Sequence, residues 1–222
     1  MSKREEAKAE RRRRIVAAAR ELIRETGDAG LSMRAIAARA GVSLTTPYNL
    51  FGSKRAIVVA VLEDVREFHE RFSSLHQVGA IDRIFHAVSL SLSYYAEDPE
   101  FYRTLWTEAL DMSGKELRAD LITPQRYAFW WALIVAASKE GALLPGIDLD
   151  LLLRNLDLVF GSVMLAWVLG GIEVEALEPA VGYGYALALR GAATAESQPR
   201  IEKRLMDYQK QLVKLRKKAA AA

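Results

Sequence analysis

The stretch "GVSLTTPYNLFGSKRA", Gly41 to Ala56, decides how the chain is read. It has the rhythm of a short helix entered from a tight turn, yet Pro47 stands in its middle. The first four N–H groups of a helix have no internal partner. A proline in the first turn therefore loses no bond there, and its fixed φ suits a helical start. A helix beginning at Thr45 or Thr46 puts Pro47 at its second or third position, whereas Ser43 as N-cap would sacrifice one backbone bond. Pro47 thus predicts a short, stiff helix with a late start.

Working outward, the pattern on both sides is helical. Ile15, Ala18, Ala19, Leu22 and Ile23 form one apolar stripe in a first helix over about Glu10 to Glu25, ended by Gly27 and Gly30. Ser32 reads as an N-cap, and Met33, Ile36, Ala37 and Ala40 form the buried face of a very short second helix. Gly41 stands where a left-handed residue is wanted. Val42 follows as an apolar plug, Tyr48 and Phe51 fold back on the first two helices, and Ser53 caps a fourth helix to about Leu75.

Ser32, Ile36-Ala37, Ala40-Gly41-Val42, Tyr48, Phe51 and Lys54 in this order resemble the DNA-binding domain of the tetracycline-repressor (TetR) family. The resemblance covers roughly residues 10–60. It implies an all-α protein with an N-terminal three-helix helix-turn-helix domain, followed by a helical ligand-binding and dimerisation domain. The chain departs from the family at Leu44-Thr45-Thr46-Pro47, where a glycine, a threonine and a branched apolar residue often precede the tyrosine.

Charge divides the molecule in the same way. Residues 1–55 hold 13 Lys/Arg against 6 Asp/Glu, residues 56–197 hold 10 against 20, and residues 198–222 hold 8 against 2, within a net charge of +3. A basic head and tail flank an acidic body, as expected when a polyanion binds at one end. The domains expected are 1–53 with a basic N-terminal arm, 54–195, and an extra basic amphipathic helix over 196–222.

Beyond the head, apolar spacing predicts helices carrying Phe85, Val88, Leu92 and Tyr95, then Phe101, Leu105, Trp106 and Leu110, then Pro124 to Lys139. From Asp148 to Gly170 one face carries Leu149, Leu152, Leu153, Leu156, Phe160, Val163, Met164 and Trp167. A second carries Leu151, Asn155, Leu158, Ser162, Leu165 and Leu169. A helix apolar on two sides must be covered on two sides. The next helix, "LEPAVGYGYALALRGAA", has Gly182 and Gly184, which allow another helix to approach closely. The resemblance implies a homodimer through the helices around 148–170 and 176–192, joined as a four-helix bundle. Ile201, Leu205, Tyr208, Leu212 and Leu215 then form a short heptad stripe on a very basic helix. That helix either docks on the body or makes a further contact to DNA, membrane or partner.

Candidate DNA contacts are Ser32, Arg34, Ser43, Leu44, Thr45, Thr46, Tyr48, Asn49 and Lys54. Threonine offers a hydroxyl to a base or phosphate and a methyl to thymine. Tyr48 and Lys54 match family positions that usually touch phosphate, and Arg11 to Arg14 could join them. Candidate ligand contacts are Tyr94, Trp106, Tyr127, Trp130, Trp131, Asn155 and Phe160, because aromatic walls with few polar groups suit a small apolar or aromatic effector. Tyr95 and Phe129 are further aromatic candidates, and Asp157, Glu108 and His86 further polar ones.

With no cysteine there is no thiolate chemistry. The three histidines, His69, His76 and His86, make no metal pattern. No catalytic motif stands out, so neither an enzyme nor a cofactor or metal is expected. The longest uncharged apolar run, Leu158 to Ile172, is 15 residues, short of the ~20 a bilayer span requires. The charged N-terminus is no signal peptide, and a cytoplasmic protein without membrane association is expected. The reading is a one-component transcriptional regulator, a repressor more often than an activator by the resemblance, released from a near-palindromic operator by a small apolar ligand. The alternative, resting on Leu44 and Pro47, is a small-molecule-binding or interaction protein whose head lacks sequence-specific readout.

Overall fold

The computed structural model describes residues 2–27, 30–63, 72, 78–109 and 123–221. Among them the chain forms ten α-helices: α1 (Lys3–Thr26), α2 (Met33–Ala40), α3 (Thr45–Phe51), α4 (Lys54–Glu63), α5 (Ala80–Glu97), α6 (Pro99–Ala109), α7 (Pro124–Lys139), α8 (Leu149–Val168), α9 (Leu177–Ala192) and α10 (Gln198–Ala219). The described part of the fourth helix ends at Glu63. Apart from Phe72, its expected continuation to Leu75, together with His69, His76 and Leu110, lies outside the described residues.

Two compact units emerge, Met1–Arg66 with Asp98–Thr123, and Glu67–Glu97 with Pro124–Ala222. In the first, α1, α2 and α4 bury Ile15, Ala19, Ile23, Ile36, Ile57 and Val58, and α6 adds Leu105 and Ala109. Each of the Ile, Val and Leu side chains withdrawn from water stabilises the unit by about 1.5–3 kcal/mol, the alanines by less. Arg39 links α2 to Glu25 (2.6 Å) and Glu21 (3.3 Å) of α1. These pairs are open to solvent and contribute little beside the core.

The helices start and stop for local reasons. Ser32 caps α2 by accepting from the Ala35 N–H at 3.1 Å, and Ser53 accepts from Ala56 at 3.1 Å at the start of α4. Gly41 closes α2 at φ 62, ψ 43, the left-handed region that a side chain disfavours. The first helix starts earlier than its apolar stripe suggests. Ser2 and Glu5 form a reciprocal capping box, so the arginines expected in an arm are already helical.

In the second unit α8 is the central helix. It buries Leu152, Leu153, Leu156, Phe160, Met164 and Trp167, while Leu149 and Val163 are half-buried. With 20 residues it is long and apolar enough to cross a membrane by length and composition. It nonetheless packs within the unit on α7 and α9.

The basic C-terminal helix docks. In α10, Ile201, Leu205 and Tyr208 are buried. Arg204 donates from Nη2 (2.7 Å) and Nε (3.1 Å) to Asp82 of α5. The Tyr208 ring lies against Gly182 of α9, where an added Cβ would sit 2.4 Å from Tyr208 Cζ. Glycine is required there by close approach. Gly182→Ala should therefore destabilise the protein by about 1–3 kcal/mol through overpacking, read as a lower urea midpoint. An unchanged midpoint would show that Tyr208 can move aside without cost.

Candidate nucleic-acid interface and ligand region

The third helix begins at Thr45, so Pro47 is its third residue, and it is buried. The proline is a packing residue in a first turn, the position in which its missing N–H costs nothing. Around it the start of α3 is open. Leu44 is 46% exposed and Tyr48 51% exposed. Ser43, Thr45 and Asn49 are exposed and Thr46 half-buried. The Ser43 hydroxyl lies 3.0 Å from that of Thr45 and 2.8 Å from that of Thr46, a cluster of groups that both donate and accept. Tyr48 does not fold back on the first two helices; buried Pro47 and half-buried Phe51 face inward instead.

Ser32 and Arg34 are exposed in the first turn of α2. Lys54, at the first position of α4, is half-exposed, and its Nζ lies 2.6 Å from Glu108 Oε2 on α6. Glu108, weighed above as a ligand contact, belongs instead to the same unit as the helix-turn-helix.

Two of the four arm arginines are structural. Arg12 donates to the Leu50 carbonyl at 2.6 Å, with its guanidinium 4.1 Å above the Phe51 ring. Arg14 donates to the carbonyls of Ala40 and Gly41. These are the C-terminal ends of α3 and α2, where cations meet unpaired carbonyls and the negative end of the helix dipole. Arg13 pairs with Glu10. The spacing 12, 14 in the sequence carried no sign of this, because the acceptors are backbone carbonyls about 26 to 38 residues away.

The aromatic candidates of the second unit separate into groups. Trp130 of α7 packs edge-on against Tyr185 of α9 at 6.1 Å, and Phe129 packs edge-on against Trp130 at 5.4 Å. Phe160 of α8 lies under the Arg126 guanidinium at 4.6 Å. Half-buried Tyr127 and Trp131 stack in parallel at 5.9 Å, and the Tyr127 hydroxyl donates to Asp150 at 2.8 Å. That bond holds the Tyr127 proton on, raising its pKa, while Arg154 and then Tyr127 hold Asp150 below the usual carboxylate range. Tyr94 is buried on α5.

Two expected ligand residues are not brought to these groups. Asn155 is exposed, because it shares the outer row of α8 with Leu151, Leu158 and Ser162. Trp106 is buried on α6, in the other unit. Asp157 is half-buried, and burial raises its pKa against the attraction of Arg126 and Arg154. His86 is half-buried, and its Nδ1 has no hydrogen-bond partner among the described residues. Arg126 and Tyr185 were missed above. Tyr185 was legible in the row 181, 185, 189, whereas an arginine in a first turn gives no sign of facing a ring.

The family model of bacterial regulatory proteins, tetR family, matches residues 15–61. Among solved structures, full-length TylP, a TetR regulator from Streptomyces fradiae, is similar with a TM-score of 0.61 and 23% identity, over 95% of this chain and 94% of that one. Thermus thermophilus FadR, a TetR-family transcriptional repressor in complex with lauroyl-CoA, aligns with a TM-score of 0.66 and 20% identity over 82% of this chain and 95% of that one. Bacillus subtilis FadR in complex with stearoyl-CoA aligns with a TM-score of 0.55 and 22% identity over 80% and 97%. Among curated proteins none matches the chain. The chain carries the N-terminal domain of the tetR family of bacterial regulatory proteins, on the fold of TetR-family transcriptional regulators.

Proposed function

We propose that this protein is a homodimeric, one-component transcriptional repressor that reads a near-palindromic operator with α3 and is released by an apolar small molecule held in its second unit. The observation that carries this reading is the open start of α3. Two large apolar side chains, Leu44 and Tyr48, stand exposed beside three clustered hydroxyls, in a unit whose other large apolar side chains, among the described residues, are buried or half-buried. In a major groove this set offers apolar contact to thymine methyls and hydroxyls to base edges or phosphates. The first turn of α2, with Ser32 and Arg34, suits a phosphate.

Dimerisation uses the outer face of α8 with α9. Leu151, Leu158, Leu165 and Leu169 are exposed along one side of α8, and Leu187 is exposed on α9. A patch of this kind marks an interface. Two heads then meet successive major grooves about 34–36 Å apart. The aromatic groups of α7, α8 and α9 support an apolar effector, and two neighbours of the same fold hold acyl-CoA thioesters. The effector must bind one head spacing better than the other, or it shifts nothing.

Selection of sites from a random DNA pool tests this directly. A near-palindrome is the expected result; enrichment of no sequence would leave the alternative, a head without readout. On the selected site, Lys54→Ala should lower the slope of log affinity against log salt by about 1 and weaken all sequences alike. Lys54 meets a phosphate by exchanging or sharing Glu108. Thr46→Ala should instead lose about 1–3 kcal/mol of discrimination at one position of each half-site. If the two variants behave alike, the division between phosphate and base contacts is wrong.

A further inference from the structure

The lysines of α10 fall on one line. Lys203, Lys210, Lys214 and Lys217 lie on the side of the helix opposite docked Ile201, Leu205 and Tyr208. The stripe runs for about 21 Å at 1.5 Å per residue. All four are exposed, and none reaches a carboxylate among the described residues. Glu202 is already 3.5 Å from Arg190, and Asp207 is the single acid along the stripe. Arg216 and Lys218 add charge in the last turn.

The chemistry of the stripe selects among anionic partners. Insertion into a lipid surface needs the apolar face of the helix, and here that face is occupied by α9. A protein partner of ordinary kind calls for aromatic and Arg anchors, with Lys depleted; Met206, 43% exposed, is the one exposed large apolar side chain on α10 among the described residues. Lysine is a point charge on a flexible stem, suited to phosphate without base reading. The Arg204–Asp82 pair and the fit of Tyr208 on Gly182 hold the helix, so its charges stay in line.

We propose that the lysine stripe of α10 is a second, sequence-independent contact for the phosphate backbone of double-stranded DNA. It rests on the DNA-binding reading of the head, which keeps a duplex at the chain and so raises the effective concentration at α10. The stripe adds affinity and salt dependence, and leaves base preference to α3.

The test replaces all four residues at once, Lys203→Gln, Lys210→Gln, Lys214→Gln and Lys217→Gln, since glutamine keeps helix propensity. Affinity for a long duplex carrying the selected site is measured across salt for the full chain. The slope should fall by about 0.9 per contact removed, about 3–4 for the set, with the selected sequence unchanged. Arginine at the same four positions should retain the wild-type slope. A wild type that binds DNA and a glutamine variant with an equal slope would overturn this proposal alone. So would loss of slope in the arginine variant, because charge kept at the four positions would then not carry the slope. Loss of binding to phosphatidylserine vesicles with DNA binding intact would assign the stripe to lipid. A wild type that binds no duplex overturns the head reading as well.

Discussion

Leu158→Arg should turn the protein into a monomer in sedimentation and cost it about a thousandfold or more in operator affinity, toward its non-specific level. Leu158 is 47% exposed, midway along a row that also holds Leu151, Leu165 and Leu169. The side chain makes no core of its own unit, so an arginine there is tolerated by the isolated chain. In the proposed dimer the same position is covered by the partner. A guanidinium at its centre would have to lose water without a counter-charge, which costs several kcal/mol per ion. The loss is felt twice, once on each side of the symmetric interface. Affinity falls further because one head reads one half-site, and the gain from linking two is gone. A dimer of normal sedimentation with normal operator affinity would refute the α8–α9 interface.

Trp167→Ala should destabilise the second unit by about 3–5 kcal/mol, the range for deleting a buried aromatic ring. Trp167 lies on the opposite side of the same helix. It is fully buried, with the Tyr95 ring edge-on at 6.0 Å. The cavity left behind is walled by helices that relax only in part. Against a total of about 5–15 kcal/mol for a domain, this leaves the unit marginal. Urea unfolding followed by far-UV circular dichroism reads it as a lowered midpoint. Leu165→Ala, two positions earlier but on the exposed side, should stay within about 0.5 kcal/mol when both changes are compared in the monomeric Leu158→Arg background. Equal effects at the two positions would mean that the burial of α8 has been assigned to the wrong side.

These two residues show how much of α8 was readable. Its two rows follow from a period of 3.6 residues, and each row keeps its identity in the folded unit. Which residue belongs to which row is a matter of phase, and that is why Asn155 is exposed with Leu151 and Leu158. Its polarity suggested a ligand contact, but position on the helix outweighs residue type. Tyr48 is the parallel case in the head. An aromatic in a short helix reads as core, yet buried Pro47 and half-buried Phe51 take the inward positions and leave Tyr48 in solvent.

What the sequence by itself determined is local: where helices run, how Ser32, Gly41 and Ser53 begin or end them, and why Pro47 falls in a first turn. Those features depend on neighbours within one or two turns, so the order of residues is sufficient. Only the tertiary structure decided the contacts between distant segments. Lys54 meets Glu108, Arg12 and Arg14 meet the carbonyl ends of α3 and α2, and Tyr208 meets Gly182. Each of these joins groups that are far apart along the chain, and a charge or a glycine does not announce its partner. The same reason separates the two units: α6 follows α5 in sequence but packs with α1 and α4, because its buried side chains complete that core.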